Sequence, residues 1–575
     1  VFDWIHLAPA GGALVIPPIG VAAWLLLSLL LLYMTLRHLG VAWRAAWIAC
    51  AVLLLLVAAL LVLDRYNLTL FAAPLGVVMI SVYALALLLP PLAAWALTRL
   101  GAEPGAAVLR ALMLIYLAAF AIKAGGMMHP QFTILDHGLR AHQVQELVAD
   151  PIAFWQKYQN VSTADEANKA RGDTHLFLGQ WNLSIPFPYP PTVYYVMAPV
   201  ALLVPGARSN ADLLLTVCDT ILVALEGSIV FALYAIAKRG LGSGRAGMFG
   251  AAIAVFAPIS YLHHSDGDWT YIWGGWVGLV YIMAVVCLAE RAGRPLLFVI
   301  LSLLAGLAVI SHPATALFLG AFVAVITILL LLGRRRWPLG FSPLPLLLSF
   351  IAGSILSLLY YGVYIGPMFT IALPAILGKV QSGAIGQDVQ HLGAPLLSGF
   401  WSQIWAHFTG WPVALAAAGL GLLLIQVERS KTKDQSAENE QRGVINYAPN
   451  QTFNSSPSSF IFFRYLAVSW ALVFALFSLA DLKVNLLQRH MLFVLPLLGL
   501  LAGYALVRLM QWDTHSNQPF TKMGATTYHS VLFAVLKREW FGWLVAAALV
   551  AFLFVVGWEI WLNRVLRYVL PPGSG

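Results

Sequence analysis

The sequence predicts an all-α fold, a polytopic transmembrane helical bundle, and three observations predict it. Of 575 residues, 61% are hydrophobic and only 10% are charged, more apolar side chain than a soluble domain can bury. Apolar runs of roughly 20 residues recur from end to end, and each is long enough to cross about 30 Å of hydrocarbon as a helix. The period-2 alternation of a membrane barrel is absent, so the backbone must satisfy its hydrogen bonds within helices.

Spans are expected at about 13–36, 42–63, 70–98 and 107–127. Arg37 and Arg44 flank one turn between them, and Arg99 and Arg110 another. That basic bias puts both turns in the cytoplasm and the polar stretch 128–191 on the extracytoplasmic face. Segment 190–206 is short and carries Pro190, Pro191, Pro199 and Pro205. A full crossing there would place the Lys238-Arg239 turn outside, so the segment reads as a re-entrant or interfacial helix. Further spans follow at about 212–237, 246–262, 269–289, 295–311, 313–332, 344–364, 410–427, 461–480, 491–509 and 541–562. The total is about fourteen crossings. Residues 428–460 are polar and read as a disordered cytoplasmic loop, with 510–540 as a second, less polar one. The organisation expected is a four-span N-terminal bundle (1–127), an extracytoplasmic loop (128–191), core spans (192–427), the disordered loop (428–460) and C-terminal spans (461–575).

The net charge of +9 follows from Lys and Arg gathered in short turns on one side, as orientation requires, and implies no nucleic acid partner. Cys50, Cys218 and Cys287 lie inside apolar spans without metal-like spacing and read as small hydrophobes. No Ser/His/Asp elbow and no Gly-rich phosphate loop is present, so no nucleotide cofactor is expected. Ionisable residues deep in spans are few. Asp219 and Glu226 stand out, seven residues apart on one face of the 212–237 helix.

Histidine plays no part in orienting spans, yet eleven of the 14 fall on or near the extracytoplasmic face. Four clusters there carry the polar chemistry. The first is Asp136-His137 with Arg140 and His142, where a helix would set the carboxylate of 136 beside the guanidinium of 140; a plain i,i+4 ion pair is the structural alternative. The second is His263-His264-Ser-Asp266-Gly-Asp268, two imidazoles and two carboxylates within six residues, which could ligate a divalent cation or simply form a solvated turn in which Asp268 caps a helix. His312-Pro313 lies between two spans that share almost no loop and reads as structural. In the fourth, Lys483, Arg489 and His490 stand at the extracytoplasmic mouth of a span, where a lipid phosphate would suit them, as would interfacial snorkelling.

A polar loop that opens with Asp136, closes in Tyr189-Pro190-Pro191-Thr-Val-Tyr194-Tyr195 before a short helix, and is followed far downstream by Arg489-His490 and Pro496 resembles the GT-C superfold of integral-membrane glycosyltransferases. The resemblance runs over about 120–500, with extra N-terminal spans. It implies a donor sugar carried on a polyprenyl phosphate, an extracytoplasmic site, and Asp136 as general base on the acceptor hydroxyl, with His137 beside it. It also implies that Tyr189 marks the return into the membrane and that Arg489 and His490 face the lipid-linked phosphate. The chain differs from the family in having four spans before the Asp loop and His137 where a second acid is expected. The function expected is transfer of a hexosyl or pentosyl group from a membrane lipid donor. A non-catalytic subunit of a larger complex with a membrane-protein partner, or a lipid or solute transporter, are the alternatives.

Overall fold

The computed structural model describes residues 18–566 apart from 64, 130–131, 133–134, 160–176, 179–184, 187–189, 334–338, 340, 382–395, 441–456, 482–488 and 512–524. By length and composition, eleven of the described helices can cross a membrane, and up to thirteen if each of two bent pairs is one span. The chain is a polytopic helical bundle. Its extended structure, among the described residues, is one antiparallel pair, β1 (Phe177–Leu178) with β2 (Ile185–Pro186).

Helices α1 (Ile19–His38), α2 (Trp43–Leu63) and α3 (Arg65–Arg99) build a small core of their own from Leu25, Val57, Leu68 and Ala72. Helix α4 (Ala106–Met127) belongs to the main core instead, through Met113, Tyr116 and Phe120. The polar stretch that follows holds α5 (Leu135–Ala149) and α6 (Pro151–Gln159), the second started by Asp150, whose carboxylate accepts from the N–H groups of Ile152 and Ala153. Helix α7 (Thr192–Leu203) has 12 residues, about 18 Å of rise. It is too short to cross, in keeping with its reading as a non-spanning helix.

Helices α8 (Ala211–Gly227) and α9 (Ile229–Gly240) form one span of 30 residues. At their junction the Ser228 hydroxyl donates to the Leu225 carbonyl and accepts from Trp276 Nε1. The single span expected at 246–262 is bent instead: α10 (Gly244–Phe256) and α11 (Pro258–Ser265) meet at 43°. Pro258 lacks an N–H and forces Ala257 into an extended conformation, which ends α10. Then come α12 (Trp269–Leu288), α13 (Pro295–Ser311), α14 (Pro313–Gly333) and α15 (Leu344–Pro367). A π-helical turn at Met368–Ala372 carries α15 into α16 (Leu373–Gln381), past the expected end at 364.

Helix α17 (Leu396–Phe408) meets α18 (Gly410–Glu440) at 99°, across Thr409 with φ of 62°. Helix α18 overruns the loop expected from 428, and 441–456 lie outside the described residues. After α19 (Pro457–Asp481) and α20 (Arg489–Gln511), α21 (Ala525–Leu566) occupies much of the stretch expected as a loop at 510–540. Ala, Leu, Lys, Arg and Glu in that stretch are strong helix formers whatever their hydropathy.

The centre of the bundle is the close crossing of α10 and α20. A Cβ added at Gly250 would stand 2.7 Å from the Gly499 carbonyl oxygen, and one at Gly503 would collide with the Ala246 carbonyl. Backbone approach of this kind is how helices associate in lipid, where the hydrophobic effect offers no driving force between them. Gly250→Ala should therefore cost about 1–3 kcal/mol by overpacking, read as a lowered midpoint of thermal unfolding in detergent. Gly320→Ala, with nothing within 4 Å of the new methyl, should leave the midpoint unchanged.

Candidate functional site

Four segments distant in sequence converge at the end of the bundle where α5 sits. Helix α5 begins with Asp136 in its first turn, where the helix dipole favours a negative charge. One turn on, Arg140 Nη2 stands 3.6 Å from Asp136 Oδ2, with side-chain exposures of 7% and 57%. The guanidinium is held from its other side by α7, where Arg140 Nη1 donates to the Tyr194 hydroxyl at 2.9 Å. His142 faces away, pairing with Glu146 at 3.3 Å on the exposed flank of the same helix.

His137 points inward and is fully engaged. Its Nδ1 lies 2.9 Å from Asp219 Oδ1 on α8, and its Nε2 lies 2.9 Å from the His264 carbonyl oxygen at the end of α11. Both neighbours can accept and so favour a proton on each ring nitrogen, while Trp269 Nε1–H also approaches Nδ1 at 3.2 Å. Burial disfavours a charged ring, but the Asp219 carboxylate outweighs it and holds the His137 pKa above the ordinary histidine value. Trp269 Nε1, at the start of α12, donates to the same Asp219 oxygen at 2.6 Å.

The turn between α11 and α12 closes onto α5. Gly267 has φ of +74°, and a Cβ there would stand 2.7 Å from the His137 amide nitrogen and 3.0 Å from the Asp136 carbonyl carbon. Both the left-handed backbone and the close approach require glycine at this position. The first and second sequence clusters are thus neighbours in space.

The proposed metal set does not assemble in the way its spacing suggested. His263 Nδ1 pairs with Asp268 Oδ2 at 3.3 Å, Asp266 Oδ1 accepts from the Ser265 hydroxyl, and His264 turns into the interior toward Glu226. Two adjacent helical residues face about 100° apart, so His263 and His264 cannot share one ion without unwinding α11. Among the described residues no three His, Cys, Asp or Glu side chains are grouped to hold a metal. His490 is buried, stacked on Phe474 at 5.8 Å. Arg489 opens α20, while its side chain, Tyr189 and Lys483 lie outside the described residues.

Asp219, Glu226, Lys123, Tyr194 and Trp269 belong to this end of the bundle without having been assigned to a site from sequence. The two acids had a signal, their shared helix face. Lys123 had one too, as a lone ammonium inside an apolar run, and it meets Glu226 Oε2 at 2.6 Å.

No family model matches the chain, and no curated protein matches it in sequence. The chain is similar to solved structures of an archaeal oligosaccharyltransferase. The Archaeoglobus fulgidus enzyme in the apo form shares 13% identity at a TM-score of 0.44, covering 79% of this chain and 56% of that one. AglB from the same organism, in complex with an inhibitory peptide and a dolichol-phosphate, gives 14% and 0.45, with the same 79% and 56%. The complex with Zn and sulfate gives 15% and 0.41, covering 78% and 53%. This chain therefore spans little more than half the length of those proteins.

The buried His137–Asp219 pair makes stability depend on pH. The folded pKa of His137 is raised, so its contribution is complete below about 6.5 and is lost as pH rises through the folded value. The midpoint of thermal unfolding should fall as pH rises above about 6.5 and through the folded value. Asp219→Asn should remove that dependence and cost about 3–5 kcal/mol by stranding a buried charge. An unchanged alkaline slope in Asp219→Asn would assign the titration elsewhere.

Proposed function

We propose that the chain is a membrane glycosyltransferase of the GT-C type, moving a sugar from a polyprenyl-phosphate donor to an acceptor hydroxyl at the extracytoplasmic face. One observation carries the reading. At the end of the bundle where distant segments converge, Asp219, Glu226 and Asp268 are each committed to a basic partner, whereas the Asp136 carboxylate is 57% exposed beside a guanidinium fixed by Tyr194. A carboxylate that is accessible, yet mounted on a helix locked from beneath, is what a general base needs.

In this reading the acceptor oxygen attacks the anomeric carbon, the bond from that carbon to the phosphate oxygen breaks, and the acceptor proton passes to Asp136. Polyprenyl phosphate leaves with the electron pair. Cations near the phosphate lower the barrier by neutralising the charge it gains; Arg140 is the one whose position supports this part, with Lys483 and Arg489 offered by sequence. His137, spent on Asp219 and the His264 carbonyl, serves as a positioning residue rather than as a base. His263 and Asp268 give no step through a metal ion.

Asp136→Asn should lower sugar transfer by about 10²- to 10⁴-fold, measured with purified protein against a panel of polyprenyl-phosphate sugars. Its thermal midpoint should stay within the error of wild type because the side chain is exposed. Full transfer by the variant rejects Asp136 as the base; no transfer by wild type from any donor favours a non-catalytic subunit that keeps the helices alone.

A further inference from the structure

Helix α17 carries tryptophans that the transfer described above does not use. It stands at the end of the bundle that holds α5, because it packs on α11, whose His264 carbonyl meets His137. Its inward edge is Ile404, His407 and Phe408, all buried. Its outward edge holds Trp401 and Trp405, one turn apart and each at least half exposed, and Trp411 is exposed in the first turn of α18.

At about 100° per residue, the outward arc is itself divided. Trp401 and Trp405 border the buried edge, while Ser402 and Ala406, also exposed, follow on the far side. The indole edge is the one nearest the span: a Cβ at Gly410, where α18 starts, would stand 2.6 Å from the Trp405 ring. None of the 13 residues of α17 is Asp, Glu, Lys or Arg. No described residue accepts a hydrogen bond from the indole N–H of Trp401, Trp405 or Trp411.

We propose that α17 lies along the membrane surface, with Trp401, Trp405 and Trp411 seated at the boundary between lipid headgroups and chains, and with Ser402 and Ala406 turned to water. Hydrocarbon alone offers no acceptor for an indole N–H. Water accepts the N–H but leaves the apolar rings unburied. The headgroup boundary answers both needs, with chains against the ring and ester oxygens for the N–H, and tryptophan is enriched there for that reason. The bend agrees with this placement. Helix α17 meets the span α18 at 99°, so a span that crosses the bilayer leaves α17 lying in the bilayer plane. Thr409, at the bend, is the one non-glycine residue with positive φ among the described residues, a conformation that costs free energy and that lipid contact along α17 offsets. The proposal is independent of the transferase reading, because depth in the bilayer is measured without turnover.

The test compares purified full-length protein with Trp401→Phe/Trp405→Phe, both in nanodiscs of phosphatidylcholine and phosphatidylglycerol. The difference between the two emission spectra reports those two indoles. It should be quenched by lipids brominated near the glycerol end of their chains and lose less intensity to lipids brominated at the chain terminus. A difference spectrum quenched by neither lipid overturns the proposal, since the indoles then face water, a soluble acceptor or another protein. Stronger quenching by the terminal bromines overturns it too, by placing them in hydrocarbon. Should the double variant fail to fold, a nitroxide on Ala406→Cys decides, the three native cysteines being buried. It should be reached more readily by a water-soluble nickel chelate than by oxygen dissolved in lipid, and the reverse order overturns the proposal.

Discussion

A histidine buried between an aspartate and a backbone carbonyl is the constraint on which the candidate site depends. His137 is held by the Asp219 carboxylate on one side and the His264 carbonyl on the other, with Trp269 bracing the carboxylate. Those contacts tie a polar helix to α8, α11 and α12 at once. Helix α5 is held besides by its packing on α7, where Arg140 donates to the Tyr194 hydroxyl. A buried pair of this sort is a weak source of net stability, but once built it penalises every arrangement that leaves either charge alone. It specifies one position of α5 rather than stabilising it strongly.

The same rule repeats about two turns along α8, where Lys123 on α4 meets Glu226 at 2.6 Å. Asp219 and Glu226 share a helix face, and each draws a different element to it: the polar helix α5 to the first, and α4 to the second. Because α4 also packs on α3, that pair links the N-terminal helices to the main core. An ionisable group inside a span often marks a transport path; here each of these two carboxylates has a basic partner and a structural duty.

How much of this was legible in the sequence depended on range. The pairing of Asp136 with Arg140 is a four-residue matter and follows from helical periodicity, as does the non-spanning length of α7. The partners of His137 lie 82 and 127 residues away, and no local pattern joins a histidine in a loop to an aspartate in a span. The His263 to Asp268 run looked like a ligand set because spacing in sequence ignores side-chain direction; once wound into α11, adjacent histidines diverge. The bend at Pro258 was signalled by the proline but hidden by the unbroken hydropathy around it. Helices α18 and α21 outran their expected limits for the opposite reason, since polarity marks where a helix leaves the apolar layer and not where it stops winding.

Locked and accessible groups thus divide along a physical line. A side chain that must hold a fold together gains from burial, where the dielectric is low and its partner cannot be replaced by water. One that must exchange a proton with a substrate needs solvent and room, and it borrows rigidity from its neighbours instead of from its own bonds. On α5 the proposed function would set these demands on consecutive residues: His137 is sealed against Asp219 while Asp136 faces out. About 100° of helical rotation lets one short segment anchor itself with the first and present the second. Gly267 enforces the arrangement, because its bare backbone is what lets the α11–α12 turn reach the amide of His137 without pushing Asp136 aside.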